Sequence, residues 1–172
     1  EIMPSLVGSE MCIRDSFGGV NRRFQYHGHV GGIRVYDDYA HHPTEARAVL
    51  TAAREVADAD AQGLGHPGRV IVCFQPHLFS RTEQFAEEFA KALDLADYAI
   101  VLDIYGAREK PIPGVTSELI TTQLTIPHKY QPDFSKVPYD VAAIAEPGDI
   151  VLTMGAGNVT MEADAVIALL KG

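Results

Sequence analysis

The chain has 172 residues, of which 47% are apolar, 22% charged and 8% aromatic. This composition is typical of a globular protein and excludes a disordered, collagen-like or disulfide-stabilised chain. Fourteen basic and 23 acidic residues give a net charge of −9, which disfavours nucleic-acid phosphates and acidic membranes as partners. The most apolar stretch, 98–102, is far shorter than the ~20 residues of a membrane span. The sequence therefore predicts a cytoplasmic protein that binds neither nucleic acid nor membrane.

Residues 1–16 read EIMPSLVGSEMCIRDS and show neither helical nor strand periodicity. They resemble translated adapter sequence at the end of an assembled gene, so we exclude them from the fold as a non-native leader. A native, disordered terminus is the alternative. Of the two cysteines, Cys12 lies in this leader, and Cys73 lies in an apolar run where a buried, reduced thiol is expected.

Short runs rich in Val and Ile predict strands, and their continuous apolarity predicts burial on both faces. The four strands are expected at Ile33–Tyr36, Arg69–Phe74, Tyr98–Asp103 and Ile150–Met154. Apolar residues spaced by 3.6 predict helices between and after them. The positions concerned are Ala46, Leu50, Ala53 and Ala57, then Phe85, Phe89 and Leu93, and finally Met161, Ala165 and Leu169.

This alternation of strands and helices favours a parallel sheet, because parallel neighbours must be joined by a crossover. We expect an α/β fold with a doubly wound, mostly parallel sheet and helices on both faces. The stretch 105–139 is expected to add a short helix over 116–124 and one or two edge strands. In such a fold, ligand groups gather at the carboxyl ends of the strands.

The first group of candidate functional residues is DDYAHHPTE, residues 37–45, which leads from a strand into a helix. A carboxylate in this place can accept from ribose hydroxyls, and imidazoles near a helix start can stay neutral and meet a substrate. A solvated turn is the alternative. A metal site is disfavoured, because adjacent side chains on a strand point apart and the HExxH spacing is absent from the sequence.

Two further groups follow later strands. FQPHLFSRT, residues 74–82, offers Arg81 as a rigid fork for a carboxylate or phosphate, while Ser80 or Thr82 can cap the helix. A surface Arg81 and a satisfied core His77 are the alternative. MGAGNVT, residues 154–160, is a Gly-rich turn whose N–H groups could hold an anion, although GxGxxT is a weak fingerprint. The sequence contains no GxxxxGK[ST] and so lacks a P-loop of its own.

FGGVNRRF, DDYAHHPTE, FQPHLFSRT, LDIYGAREKPIPG and MGAGN occur in this order between residues 17 and 172. Together they resemble the C-terminal part of a Mur ligase. The resemblance implies a three-domain enzyme with a UDP-sugar domain, a central P-loop ATPase domain and a Rossmann-like C-terminal domain that recruits an amino acid. Residues 17–32 would then be the tail of the central domain and its hinge, and residues 33–172 the C-terminal domain.

The reaction implied by the resemblance joins L-alanine to UDP-N-acetylmuramate. The muramate carboxylate is phosphorylated by ATP with Mg²⁺, and the amine of L-alanine then attacks it. ATP and Mg²⁺ would be held mainly by the central domain, which this chain lacks together with the N-terminal domain, so we expect the isolated chain to be inactive. The tripeptide-adding muropeptide-recycling ligase is one alternative, and a non-catalytic module that binds a nucleotide or a partner is another. A metal-dependent hydrolase would use Asp37, Asp38, His41, His42 and His77.

The matching motif positions imply a role for six residues. Arg23 and Asp38 would meet the nucleotide, Asp38 at the ribose. Four positions would form the amino-acid site: Tyr39 and His41 in its wall, and His77 and Arg81 at the carboxylate. No residue is assigned as a catalytic group or as a metal ligand.

Leu78 is one departure from the family pattern, because many members carry a second arginine there. The contact with the amino-acid carboxylate would then rest on Arg81 alone or take help from another residue.

Overall fold

The computed structural model describes residues 22–59 and 61–172, so the leader, Cys12 and residues 17–21 of the first motif lie outside the described residues. The strands are β1 (Gln25–Val30), β2 (Ile33–Asp38), β3 (Val70–Phe74), β4 (Tyr98–Leu102), β5 (His128–Gln131) and β6 (Ile150–Met154). The helices are α1 (Pro43–Ala59), α2 (Ala61–Leu64), α3 (Phe79–Leu93), α4 (Glu118–Thr121), α5 (Val137–Ile144) and α6 (Thr160–Lys171), with a 3-10 turn at Phe134–Lys136.

The six strands form one sheet in the order β1-β2-β6-β3-β4-β5. β1 runs antiparallel to β2, and every other neighbouring pair is parallel. In the register of the sheet, Asp38 at the end of β2 pairs with Met154 of β6, and Met154 pairs with Phe74 of β3. The expected doubly wound α/β fold is confirmed, and the motifs that follow β2, β6, β3 and β4 share one edge of the sheet.

Helices cover both faces of the sheet, and each face has its own apolar core. Leu50 of α1 and Phe89 of α3 are fully buried with Phe74 on one face. Val166 of α6 packs with Cys73 on the other face. Burial raises the pKa of the Cys73 thiol, as expected for an inert core cysteine. None of the helices in the described ranges is long and apolar enough to cross a membrane.

The predicted face of the last helix is wrong, although the helix itself is present. Met161 is 67% exposed, and α6 instead buries Ala163, Val166 and Ile167. Most of its sequence, TMEADAVIALLK, is apolar, so spacing alone permits more than one inward face.

The strand β1 was not predicted, because QYHGHV is mostly polar and half exposed. Gly31 and Gly32, at φ 59° and 83°, connect it to β2 by a tight hairpin. A Gly-Gly pair between two possible strands was the available signal.

Candidate functional site

The candidate site lies on the carboxyl rim, which we define as residues 37–42, 75–81, 103–109 and 155–158. These segments follow β2, β3, β4 and β6, whose ends are adjacent in the sheet. The sequence motifs are far apart in the chain, and the parallel topology brings them together.

Asp37 anchors the rim from inside. Its side chain is fully buried and accepts hydrogen bonds from the hydroxyls of Thr153 (2.6 Å) and Thr160 (2.8 Å). The Nε of Arg22 donates to the same carboxylate across 2.8 Å, and its guanidinium also donates to the carbonyl of Gly155. Asp37 is therefore a structural residue, and Arg22, which the sequence analysis did not single out from the Arg22-Arg23 pair, is its partner.

Asp38 and Arg23, the two residues expected at the nucleotide, line one cavity of about 200 Å³ at the start of α1. Asp38 is 6% exposed, and its oxygens accept from the backbone N–H groups of Ala40 (2.7 Å) and Phe24 (2.6 Å). Burial raises the pKa of Asp38, and these two hydrogen bonds and the charge of Arg23 oppose the increase. Each carboxylate oxygen has one further lone pair for a ligand. The cavity is also lined by Tyr39, Ala40, Glu45, Ala48 and Val49.

The Gly-rich turn after β6 is packed against Gln75. The N–H of Gly155 donates to the carbonyl of Asp38 (3.0 Å), and the N–H of Val159 donates to Oε1 of Gln75 (3.1 Å). At Gly157 a Cβ would lie 2.4 Å from the same Oε1. Two N–H groups of the expected anion cradle are thus already used within the protein.

Four rings cross the rim from β2 to β4, and we call them the ring row: Tyr39, His41, His77 and Tyr105. Tyr39 meets His41 edge-on with 5.1 Å between centroids, and His41 meets His77 edge-on at 5.8 Å. Tyr105 stacks on His77 at 5.8 Å, with 15° between the ring planes. The structure thus brings His41 and His77 together, beside Tyr39, which is 47% exposed.

His41 carries its proton on Nδ1. This nitrogen lies 3.0 Å from the carbonyl oxygen of Tyr39 and 3.6 Å from Oε2 of Glu45, and both oxygens can only accept. The lone pair of a neutral His41 is therefore on Nε2. Burial opposes ionisation of Glu45, but hydrogen bonds from the N–H groups of His41 and His42 hold the pKa of Glu45 below its usual value.

His77 has the opposite tautomer. Its Nδ1 lies 3.2 Å from Nη1 of Arg81, which can only donate, so a neutral His77 carries its proton on Nε2. Burial and the charges of Arg81 and His41 lower the pKa of His77, against the opposing effect of Glu109. The lowered pKa favours the neutral form of His77. In their neutral forms the two imidazoles present unlike groups: an acceptor on His41 and a donor on His77.

Within residues 22–59 and 61–172, no three His, Cys, Asp or Glu side chains come close enough to hold a metal ion. Asp37 is turned into the core, and His42 packs edge-on against Phe85 at 5.1 Å. The metal-dependent hydrolase therefore lacks the ligand set that it would need among these residues.

Residues 22–157 match the sequence model of the family described as "Mur ligase, glutamate ligase domain". The chain belongs to this family. It is similar to the UDP-N-acetylmuramate–L-alanine ligase of Rhodococcus erythropolis, with 58% identity over 158 residues that cover 90% of this chain and 32% of that protein. The chain thus spans about a third of the length of this relative.

Solved structures of related ligases share the fold. The UDP-N-acetylmuramate–alanine ligase of Thermotoga maritima matches with a TM-score of 0.68 and 27% identity, over 88% of this chain and 30% of that one. A murein peptide ligase from Psychrobacter arcticus matches with a TM-score of 0.70 and 21% identity, over 91% of this chain and 31% of that one. At that identity, the second likeness concerns the fold alone.

Proposed function

We propose that this chain is the amino-acid-recruiting C-terminal domain of an ATP-dependent ligase that joins L-alanine to UDP-N-acetylmuramate in peptidoglycan synthesis. The observation that carries the proposal is the pairing of His77 with Arg81 beside His41, next to the cavity lined by Arg23 and Asp38. The 58% identity to an L-alanine ligase supports this substrate over the tripeptide of the recycling ligase.

The amino-acid carboxylate binds to Arg81 and His77. The guanidinium of Arg81 is a planar, permanently charged fork that matches a carboxylate. His77 adds a neutral donor through Nε2, because its Nδ1 is occupied by Arg81. With the carboxylate fixed, the substrate's amine points toward His41, whose ring meets His77 edge-on, and toward Tyr39 beyond it.

His41 accepts a proton from the substrate ammonium. Its Nε2 lone pair is free for this step, because Nδ1–H donates to the Tyr39 carbonyl, with Oε2 of Glu45 3.6 Å from the same nitrogen. The proton moves to Nε2, and the ionised Glu45 stabilises the imidazolium. The neutral amine then attacks the carbonyl of the muramate acyl phosphate. The C–N bond forms, the C–O bond to phosphate breaks, and the second amine proton leaves with the phosphate. The domain contributes mainly by positioning the amine.

Arg23 and Asp38 contact the nucleotide, with the remaining lone pairs of Asp38 at the ribose hydroxyls. ATP supplies the phosphoryl group that activates the muramate carboxylate. Mg²⁺, like ATP, would be held mainly by the central domain. The central and N-terminal domains of the same enzyme are the partners of this chain, and the proposed compartment is the cytoplasm.

The test is phosphate release from ATP in the full-length ligase that carries this domain, with UDP-N-acetylmuramate and either L-alanine or the recycled tripeptide. We expect release with L-alanine and none from the 172-residue chain alone. Preference for the tripeptide would indicate the recycling ligase. Release with neither substrate would favour a non-catalytic binding module.

A further inference from the structure

We propose that Tyr105 and Glu109, on the loop that follows β4, are positioning residues that hold the turn carrying His77 and Arg81. This inference deepens the proposed function and rests on it. We call residues 105–109 the clamp loop. This loop contacts the turn that carries His77 and the first turn of α3, which carries Arg81.

Backbone hydrogen bonds tie the clamp loop to the turn on both sides of His77. The N–H of Tyr105 donates to the carbonyl of Pro76 across 2.8 Å, and the N–H of Leu78 donates to the carbonyl of Tyr105 across 2.9 Å. His77 and Tyr105 thereby form an isolated parallel bridge beyond the ends of β3 and β4. The pairing of the sheet is in this way continued into the site.

The turn needs such support because of Leu78. Its φ of 71° is in the left-handed region, which is unfavourable for a residue with a Cβ. This conformation turns the chain between His77 and the first turn of α3. Since the Leu78 N–H donates to the carbonyl of Tyr105, the clamp loop stabilises this backbone conformation in the turn between His77 and Arg81.

The ring of Tyr105 fixes the plane of His77. It stacks on one face of the imidazole, while His41 meets that imidazole edge-on. Tyr105 itself is backed by the Gly-rich turn, where a Cβ on Gly157 would lie 2.7 Å from Cγ of Tyr105. With both rings in place, the Nδ1 of His77 remains directed at Arg81.

Glu109 holds the start of α3. Its carboxylate accepts from the N–H of Ser80 (3.0 Å) and from the Ser80 hydroxyl, and Ser80 directly precedes Arg81. These hydrogen bonds from Ser80 hold the pKa of Glu109 below its usual value, so a negative charge is kept at the positive end of the helix. At Gly106 a Cβ would lie 2.6 Å from the ring of Phe79, which shows how closely the loop approaches α3.

The first experiment measures the ring nitrogens of His77 by ¹⁵N NMR in the 172-residue chain. Tyr105→Leu removes the stacked ring, Tyr105→Phe keeps it, and Tyr139→Leu is the control, because Tyr139 is 64% exposed on α5. We expect wild type, Tyr105→Phe and Tyr139→Leu to show the Nε2–H tautomer. Tyr105→Leu should lose that preference, and the titration midpoint of His77 should increase. An unchanged His77 in folded Tyr105→Leu would overturn the role of Tyr105, as would Tyr105→Phe behaving like Tyr105→Leu.

The second experiment uses Glu109→Gln, which removes the negative charge at nearly constant size, in the full-length ligase. We expect the amino-acid KM to rise several-fold with kcat less affected, whereas a general loss of folded enzyme would lower the rate without changing KM. An unchanged KM would remove Glu109 from the clamp. The NMR result does not depend on the ligase reaction. Altered His77 signals in Tyr105→Leu, together with no ligation of L-alanine by the full-length protein, would contradict the proposed function but support the positioning role of the clamp loop.

Discussion

The imidazole of His77 and the guanidinium of Arg81 are joined by a hydrogen bond of 3.2 Å, in which Arg81 donates from Nη1 and His77 accepts at Nδ1. The bond leaves the Nε2–H of His77 and the outer edge of the guanidinium as the donors that remain for a ligand. A carboxylate is the small anionic group that such a pair of donors fits best.

Replacement of Arg81 by alanine should raise the KM for L-alanine about tenfold or more, because a hydrogen bond to a charged group contributes about 1.5–3 kcal/mol. Steady-state kinetics of the full-length ligase would measure this. Arg47→Ala, at an exposed position of α1, should leave the KM unchanged. Alanine kinetics that are the same in both variants would remove Arg81 from the carboxylate site.

The stability of the chain should depend on the protonation of His77. Burial and the neighbouring charges of Arg81 and His41 lower the pKa of His77, so the folded state favours the neutral ring. This contribution is present above the unfolded pKa of ~6.5 and is lost as the pH falls through the lower folded pKa. Urea unfolding between pH 7 and pH 5 should therefore show a smaller loss of stability in His77→Asn than in wild type. His29→Asn, on the exposed side of β1, is the control, and equal losses in all three proteins would contradict the prediction.

Removal of Arg22 should destabilise the fold. Asp37 is fully buried, and Arg22→Ala would leave its carboxylate with the two threonine hydroxyls alone. A hydrogen bond to a buried charge predicts a loss of about 1.5–3 kcal/mol in the free energy of unfolding. Arg23→Ala, one residue along and exposed, should change stability by less than about 0.5 kcal/mol. Similar midpoints for the two variants in urea would show that the Arg22–Asp37 pair contributes little.

A methyl group at Gly157 should disturb the rim. It would lie 2.4 Å from Oε1 of Gln75 and 2.9 Å from Cβ of Tyr105, and overpacking of this kind costs about 1–3 kcal/mol. Gly63→Ala is the matched control, because a Cβ there meets no atom within 4 Å. Thermal melting should separate the two variants, and a Gly157→Ala chain as stable as Gly63→Ala would indicate that the Gly-rich turn adapts freely.

The spacing of apolar residues was sufficient to predict the buried face of a helix where only one face is apolar. Ala46, Leu50, Ala53 and Ala57 are all buried, because the apolar stripe of α1 is narrow and admits one inward face. In α6 the stripe is wide, and the packing of the helix on the sheet, rather than its sequence, decides that Met161 points outward.

The site could be predicted in its location but not in its internal contacts. Asp38, His41 and His77 follow strands, so their meeting at one edge follows from a parallel sheet. The choice of Arg22 over Arg23 as the partner of Asp37 depends on side-chain direction, which spacing does not encode. The approach of Tyr105 to His77 depends on a left-handed turn at Leu78, and the sequence there carries no glycine to signal it.

Asp38 links the segment around Phe24 with the ring row. The carboxylate of Asp38 accepts hydrogen bonds from the N–H of Phe24 and from the N–H of Ala40, which directly follows Tyr39 of the ring row. The ring of Phe24 also stacks on Tyr36, with 4.4 Å between centroids. Under the proposed function, a nucleotide bound at Asp38 therefore acts on both the segment around Phe24 and the amino-acid site. Thermodynamic linkage is reciprocal. If the nucleotide favours one position of the segment around Phe24 by some factor, then holding the segment in that position must raise the affinity for the nucleotide by the same factor.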